Sequence, residues 1–291
     1  MTALPRVDIR RAVRLGLEED LAHGDITTAA LFSEPTPARA KIIAQQPLVV
    51  AGMTAAIQTF IAVDASLKLT PSRQDGSHAN NGDILLQIEG DGRSILMAER
   101  VALNFLQYLC GIATLTNRFC RAVHGYPVDI MDTRKTLPGW RAIQKWAVSL
   151  GGGTNHRVSL GDGILIKDNH LALINNKKSG ILAACRKARA RASKDNPVIV
   201  EVESLSEVRA ALRGKADIIL LDNMTPPVVK QAVKLIDGRA LVEVSGGITL
   251  KNVRAMAAAG PDRISIGALT HSAPAATLSL VIEPRRPGSF G

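Results

Sequence analysis

The chain has 291 residues, which at roughly 100–200 residues per domain suits two domains, or one barrel with an appendage. Hydrophobic residues (46%) and charged residues (21%) allow a sizeable core and exclude global disorder, while only 3% aromatics make that core aliphatic and argue against a base-stacking binder of single-stranded nucleic acid. The net charge of +10 leaves two readings, nucleic acid or a strongly anionic small substrate.

The opening MTALPRVDIRR lacks the apolar run of a signal peptide. Residues 8–20 (DIRRAVRLGLEED) have helical spacing. Asp25 to Thr28 (DITT) reads as a loop and cap, because Asp and Thr side chains bond local backbone N–H groups. Residues 38–51 and 83–89 have strand character, with turns between them at Asp75-Gly76 and Asn80-Asn81-Gly82. From Ser94 to about Val123 runs one long helix, its apolar residues recurring at spacings of three and four (Ile95, Val101, Phe105, Leu109, Ile112, Leu115, Phe119). Gly111 in its middle weakens the helix and predicts either a kink or close packing. Nowhere do about 18 consecutive apolar residues occur, so no membrane span is expected. Three cysteines (Cys110, Cys120, Cys185) are too few and too scattered for a disulfide framework or a zinc site, and a reduced, cytoplasmic protein is expected.

From residue 127 short apolar runs alternate with helical segments. PVDIMDTRK precedes LPGWRAIQKWAVSL, and GILIKDN precedes a helix near 179–192. VIVEVE precedes SLSEVRAALRG, and DIILLDN precedes TPPVVKQAVKLID. ALVEVSGG precedes TLKNVRAMAAAG, and RISIGAL comes last. Strict alternation argues for parallel strands with crossover helices. Six such units favour a β/α barrel, with a doubly wound sheet as the alternative.

Each strand is apolar along its body and polar at its C-terminal end, the face on which barrel active sites lie. The ends are Asp132-Thr133-Arg134-Lys135, Lys167-Asp168-Asn169-His170, Glu201 and Glu203, Asp222-Asn223, Glu243 with Ser245-Gly246-Gly247, and Ser265 with Gly267. Arg134, Lys135, His156, Arg157 and Lys167 form a cationic half suited to carboxylates or phosphates. Glu201, Glu203 and Asp222 form an acidic group suited to ribose hydroxyls or a hard divalent ion such as Mg²⁺. Ser245-Gly246-Gly247 and Ile266-Gly267-Ala268 offer backbone N–H groups to phosphate. Plainer roles compete: an internal salt bridge from Glu201 and Glu203 to Lys167, and a loop hydrogen bond for His170. Packing suffices for Trp140 and Trp146. Arg186, Lys187, Arg189, Arg191 and Lys194 suit a solvated helix face, and Arg285 and Arg286 sit in a Pro/Gly-rich tail.

These blocks resemble the quinolinate phosphoribosyltransferase family, the carboxylating nicotinate-nucleotide pyrophosphorylases. The resemblance runs through EEDLAHGDITT (18–28), ERVALNFLQYLCGIATLT (99–116), DTRKTLPGWR (132–141) and GGGTNHRVSLGDGILIKDNH (151–170). It continues through VEVESL (200–205), LLDNM (220–224), EVSGGIT (243–249) and SIGALTHSAP (265–274). It implies an α/β fold of type II phosphoribosyltransferase architecture: an N-terminal α/β sandwich-like domain at 1–115 and an incomplete β/α (TIM-like) barrel at 116–271. The segment about 272–291 is left free to pack back on the first domain. It further implies transfer of phosphoribosyl from phosphoribosyl pyrophosphate to quinolinate with decarboxylation, giving nicotinate mononucleotide, CO₂ and pyrophosphate for de novo NAD biosynthesis.

By the same resemblance Arg134, His156, Arg157 and Lys167 bind quinolinate, and Thr133 and Lys135 sit beside substrate phosphates or carboxylates. Glu201 and Asp222 hold the ribose hydroxyls and Mg²⁺, directly or through water. Ser245, Gly246, Gly247, Ile266, Gly267 and Ala268 bind phosphate. Lys135, Glu201 and Asp222 are the catalytic residues. Arg100 completes the pocket of a partner subunit in a homodimer, a higher oligomer being left open. Nucleic acid and membrane are not expected partners, since two anionic substrates account for part of the positive charge. Departures are Cys110 for a usual Ser, Trp140 for a usual aliphatic, Ala22-His23 at a spot often Gly, and a longer, more basic tail after Val281. Two alternatives stay open: the molybdenum-operon paralogue of the same fold, and a Schiff-base aldolase using Lys135 or Lys167.

Overall fold

Proline, glycine and alternating small apolar residues set the first half of the chain. A computed structural model describes residues 4–174, 177–193 and 196–284, so Lys194, Arg285 and Arg286 lie outside the described residues. Helix α1 (Arg6–Asp20) buries Ile9, Ala12 and Val13. Asp25 caps α2 (Ile26–Leu31), its carboxylate accepting the Thr28 N–H at 2.9 Å. The strand-like stretch 38–51 is two strands, β1 (Pro37–Ala44) and β2 (Leu48–Val49). Between them stands Pro47, which has no N–H for a ladder. Then follow α3 (Met53–Val63), β3 (Lys68–Pro71), β4 (His78–Ala79), β5 (Ile84–Asp91) and the 31-residue α4 (Gly92–Ala122). The second half contains β6 (Asp129–Met131), α5 (Arg141–Leu150), β7 (Ile164–Ile166), α6 (Asp168–Leu173), α7 (Lys177–Arg191), β8 (Val198–Val202) and α8 (Leu205–Arg213). It ends with β9 (Ile218–Asp222), α9 (Pro226–Ile236), β10 (Leu241–Ser245), α10 (Val253–Ala258), β11 (Arg263–Ser265), α11 (Ala268–His271) and β12 (Leu278–Pro284).

The chain divides into two units. One holds the chain up to Asn117, Thr136–Gly152 and the chain from Leu269 onward; the other holds Arg118–Lys135 and Gly153–Ala268.

In the first unit β12, β1, β5 and β3 form a four-stranded sheet in that order, each pair antiparallel. Strict alternation on β1 buries Ala38, Ala40, Ile42 and Ala44 on one face. That face joins Leu86 and Ile88 of β5, Phe60 of α3, and Ile95, Ala98, Ala102 and Leu106 of α4 in one core. Length and composition alone would let α4 cross a membrane, but 61% of its most apolar window is buried in the protein, and it supplies the centre of this core. Trp140 stacks on Phe105 with ring centroids 5.0 Å apart. Gln144 of α5 is fully buried and donates to Thr270 O at 2.7 Å while accepting the Leu137 N–H at 2.8 Å.

The second unit is a six-stranded parallel sheet in the order β6-β11-β10-β9-β8-β7. This is the chain order read cyclically: the first strand pairs with the last. A doubly wound sheet would reverse its strand order at a switch point, and this one does not. The barrel is incomplete between β6 and β7, where a single bridge, Met131 to Thr154, replaces a ladder among the described residues. Leu165, Ile199, Ile218 and Leu220 cluster on one side of the strands. Two residues further along those strands, and so on the same face, come Lys167, Glu201 and Asp222.

Close packing, not a kink, explains Gly111. A Cβ there would stand 2.1 Å from the carbonyl oxygen of Pro274, a backbone atom that cannot swing aside. Gly111→Ala should therefore separate the 274–276 segment from α4, losing about 1–3 kcal/mol. Thermal unfolding should show a clear drop in melting temperature, and an unchanged melting temperature would show that the segment yields freely.

Candidate active site

Two buried carboxylates organise the cationic half of the mouth. Asp132 follows the last residue of β6 and is fully buried. Its Oδ1 accepts the backbone N–H of His156 at 2.8 Å, and its Oδ2 accepts the side-chain amide of Asn155 at 2.7 Å. Glu243, mid-strand on β10, is also fully buried. It accepts the Ser265 hydroxyl at 2.5 Å, and its two oxygens lie 3.0 and 3.1 Å from His156 Nε2. The other ring nitrogen, Nδ1, accepts the Arg157 backbone N–H at 2.8 Å. This network assigns the imidazole proton to Nε2.

Arg157 is half-buried, and its Nε is buried with no hydrogen-bond partner. Burial, and then the charge of nearby Arg134, lower its pKa; Asp162 opposes them. A second guanidinium beside an unsatisfied buried donor fits an anion with several oxygens, which Arg forks bind in bidentate fashion. Thr133 and Arg134 are half-buried, and Lys135 is exposed, its N–H donating to Thr133 Oγ1 at 3.0 Å.

The acidic half is wired differently. Glu201 ends the apolar run of β8 and is half-buried. Its pKa is raised, first by burial and then by Asp222; Asp168 and Glu203 add to this and only Lys167 opposes it. Among the described residues no ion pair joins Glu201 to Lys167, so the internal salt bridge does not form. Asp222 accepts the Ser245 hydroxyl and the Asn223 amide, each at 2.8 Å. Gly246 is required here: a Cβ would stand 2.2 Å from Asn223 Oδ1, and its φ is +85°. Uncompensated negative charge with free oxygen lone pairs fits a hard cation. No group of three or more metal-binding side chains exists among the described residues, so two carboxylates would share Mg²⁺ with water and substrate oxygens, as that ion prefers.

Other residues fall outside these two clusters. The N–H of Ile266 is committed to Met131 O at 2.9 Å and its side chain is buried, so within that triplet Gly267 and Ala268, both half-buried, are the accessible residues. His170 lies in the first turn of α6 and closes its cap, its Nδ1 accepting the Lys167 N–H at 3.0 Å. Arg100 is exposed on α4, in the other unit. Asp132, Asn155 and Ser265 had no assigned role from sequence, and neither did Glu243. The signal for Glu243 was present: a carboxylate inside the run LVEVS, two residues before Ser245 and hence on its face.

A mouth that sets paired guanidiniums against paired carboxylates suits an enzyme that joins two anionic substrates, a group-transfer enzyme on a β/α barrel. Residues 25–110 match the quinolinate phosphoribosyl transferase N-terminal domain and residues 112–281 the C-terminal domain, and the chain belongs to that family. It is a phosphoribosyltransferase. The nicotinate-nucleotide pyrophosphorylase (carboxylating) of Mycobacterium leprae is 41% identical over 270 residues, covering 90% of this chain and 93% of that one. The chloroplastic enzyme of the same name from Oryza sativa is 39% identical over 300 residues, covering 97% and 79%. The nicotinate-nucleotide pyrophosphorylase structure from Francisella tularensis superposes with a TM-score of 0.90 at 37% identity, covering 97% of this chain and 98% of that one.

The raised pKa of Glu201 has a consequence for stability. The folded state disfavours its ionised form, so Glu201 costs stability above its folded pKa, and the cost disappears as pH falls below the unfolded value of 4.5. Glu201→Gln should raise the melting temperature at pH 7.5 by about 1–3 °C. The gain should vanish toward pH 4. A lower melting temperature at pH 7.5 would mean that Glu201 is compensated in the folded protein.

Proposed function

We propose that this enzyme transfers the phosphoribosyl group of phosphoribosyl pyrophosphate to quinolinate and releases CO₂ and pyrophosphate, forming nicotinate mononucleotide for NAD biosynthesis. The observation that carries the substrate assignment is the unsatisfied, half-buried Arg157 beside Arg134. A dicarboxylate supplies enough acceptor oxygens to answer both guanidiniums. Arg134, Arg157 and Lys167 take the quinolinate carboxylates, with Thr133 and Lys135 beside them. Glu201 and Asp222 face the ribose, where positive charge develops as pyrophosphate leaves, and their negative charge stabilises it. The loops Ser245-Gly246-Gly247 and 266–268 take the phosphate. The pyridine nitrogen attacks with its own lone pair, so no general base is needed. Once ribosylated, the ring is cationic and stabilises the electron pair left on C2 when the 2-carboxylate departs as CO₂, and C2 then takes a proton from water.

Glu201 and Asp222 would hold Mg²⁺, which when bound neutralises charge on the departing pyrophosphate. A homodimer agrees with the large apolar side chains exposed on each unit: Val7, Ile26 and Leu31 on one, Leu160 and Leu173 on the other. Arg100 would then act in the partner's mouth. The three cysteines are free, which suits the reducing cytoplasm. The aldolase alternative finds no support, because Lys135 and Lys167 are both exposed, whereas a Schiff-base lysine is held in an apolar pocket or beside another cation.

Incubation with quinolinate, phosphoribosyl pyrophosphate and Mg²⁺ should yield pyrophosphate and nicotinate mononucleotide. Nicotinic acid should be a poor substrate, and equal turnover of the two acids would overturn the carboxylating assignment. Arg100→Ala and Arg157→Ala should each be nearly inactive, since losing one member of a charge-assisted pair costs roughly 2–5 kcal/mol. Mixed with subunit exchange, they should recover up to about a quarter of wild-type activity, because half the dimers are hybrid and each hybrid keeps one intact mouth of two. No recovery despite exchange proven by mass spectrometry would place Arg100 in its own subunit's site or in a purely structural role.

A further inference from the structure

The resemblance assigns His156 to the substrate, but the protein already engages both nitrogens of its ring. Nε2 donates to Glu243, and Nδ1 accepts the N–H of the next residue, Arg157. A neutral imidazole has one donor and one acceptor, and both are used. Glu243 is itself locked. It lies on β10, fully buried, and takes the Ser265 hydroxyl from β11. The result is a relay of hydrogen bonds from the barrel interior to the backbone of Arg157: Ser265 to Glu243, His156 to Glu243, and the Arg157 N–H to His156. From the other side Asp132 holds the His156 N–H and the Asn155 amide. The three residues 155–157 are thus pinned by two buried carboxylates from strands far apart in sequence.

We propose that Glu243 is a positioning residue for quinolinate: by holding His156 in the Nε2–H tautomer it makes Nδ1 an acceptor for the Arg157 N–H and so fixes where the Arg157 guanidinium stands. This rests on the reading of quinolinate as the substrate that Arg157 binds. The chemistry requires an acceptor at position 243. An amide there keeps only one acceptor oxygen, and where that oxygen takes the Ser265 hydroxyl, as Glu243 Oε1 does, its NH₂ group faces Nε2 and favours the Nδ1–H tautomer. Nδ1–H then faces the Arg157 N–H donor to donor, and the backbone of the loop must move. A wrong imidazole tautomer of this kind disables a catalytic histidine elsewhere with little change in geometry. Ser265 orients the carboxylate but does not set its sign, so its loss matters less.

The test compares wild type with Glu243→Gln, Glu243→Asp and Ser265→Ala. Two-bond ¹⁵N–¹H spectra of histidine-labelled protein report the tautomer of His156, its signals assigned by their loss in His156→Asn. Wild type should show Nε2–H, and Glu243→Gln should show Nδ1–H or a mixture. The same variant should raise KM for quinolinate about 10–100-fold, the range seen when an outer supporting partner is lost. Its KM for phosphoribosyl pyrophosphate should stay within about 3-fold. Glu243→Asp and Ser265→Ala should keep the wild-type tautomer and stay within about 10-fold of wild-type KM for quinolinate. If Glu243→Gln does not fold, the wild-type spectrum decides the matter: Nε2–H is expected, and Nδ1–H overturns the proposal. Nδ1–H in wild type, equal loss for both substrates, or Glu243→Asp as impaired as Glu243→Gln with the tautomer unchanged would each overturn the proposal. Wild type that shows Nε2–H but does not turn over quinolinate would instead overturn the substrate reading, because the tautomer spectrum needs no turnover.

Discussion

A carboxylate inside a parallel barrel must be answered by a donor or a cation, and the mouth of this protein is arranged by how each of its carboxylates is answered. Burying an isolated charge costs many kcal/mol, so a group in that state either finds partners or gives up its charge. Asp132 and Glu243 are fully buried and take donors from their own unit: two from the 155–156 segment, one from Ser265 and one from the His156 ring. Glu201 is only half-buried, and its neighbours are mostly further carboxylates. The first two are structural anchors that hold the 155–157 segment in place. Glu201, with Asp222 beside it, is left to meet positive charge from outside the chain.

That difference divides the mouth by function. The anchored carboxylates stand under Arg157 and set its backbone, while its guanidinium keeps an unsatisfied donor. The half-buried carboxylates lie across β8 and β9, where Asp222 is fixed by Ser245 and Asn223 and the left-handed Gly246 lets that loop approach. Under the proposed assignment, a substrate with two carboxylates and a substrate with ribose and phosphates would meet opposite electrostatic halves and would not compete for contacts.

Much of the remaining positive charge has local work. Arg189 pairs with Asp217 and donates to Lys215 O, and Arg239 donates to the carbonyls of Leu235 and Ile236 that end α9. Arg213 sits in the last turn of α8. Cations at helix C-termini complement the dipole. Part of the positive charge therefore serves helix ends and loop carbonyls.

What the sequence determined by itself was periodic or local. Apolar runs of three to five residues alternating with helical spacing marked the parallel strands, and polar residues at their ends marked the mouth, because side-chain direction repeats every two residues. The cap at Asp25 was legible from its local side-chain hydrogen bonding, and the long helix from 94 from its apolar spacing of three and four. The family motifs carried the substrate classes. The short strands β3 and β4, and helices α3 and α6, were not legible. Three of these are too brief to show a period, and α3 is apolar nearly all round. Only the tertiary structure decided that the strand order closes cyclically, that Gly111 meets the Pro274 carbonyl, and that Glu243 and Ser265 belong with His156. Those pairings join residues 22, 87 and 163 positions apart. Hydrogen bonds at such separations depend on how strands are laid side by side, and that order leaves no local trace in the chain.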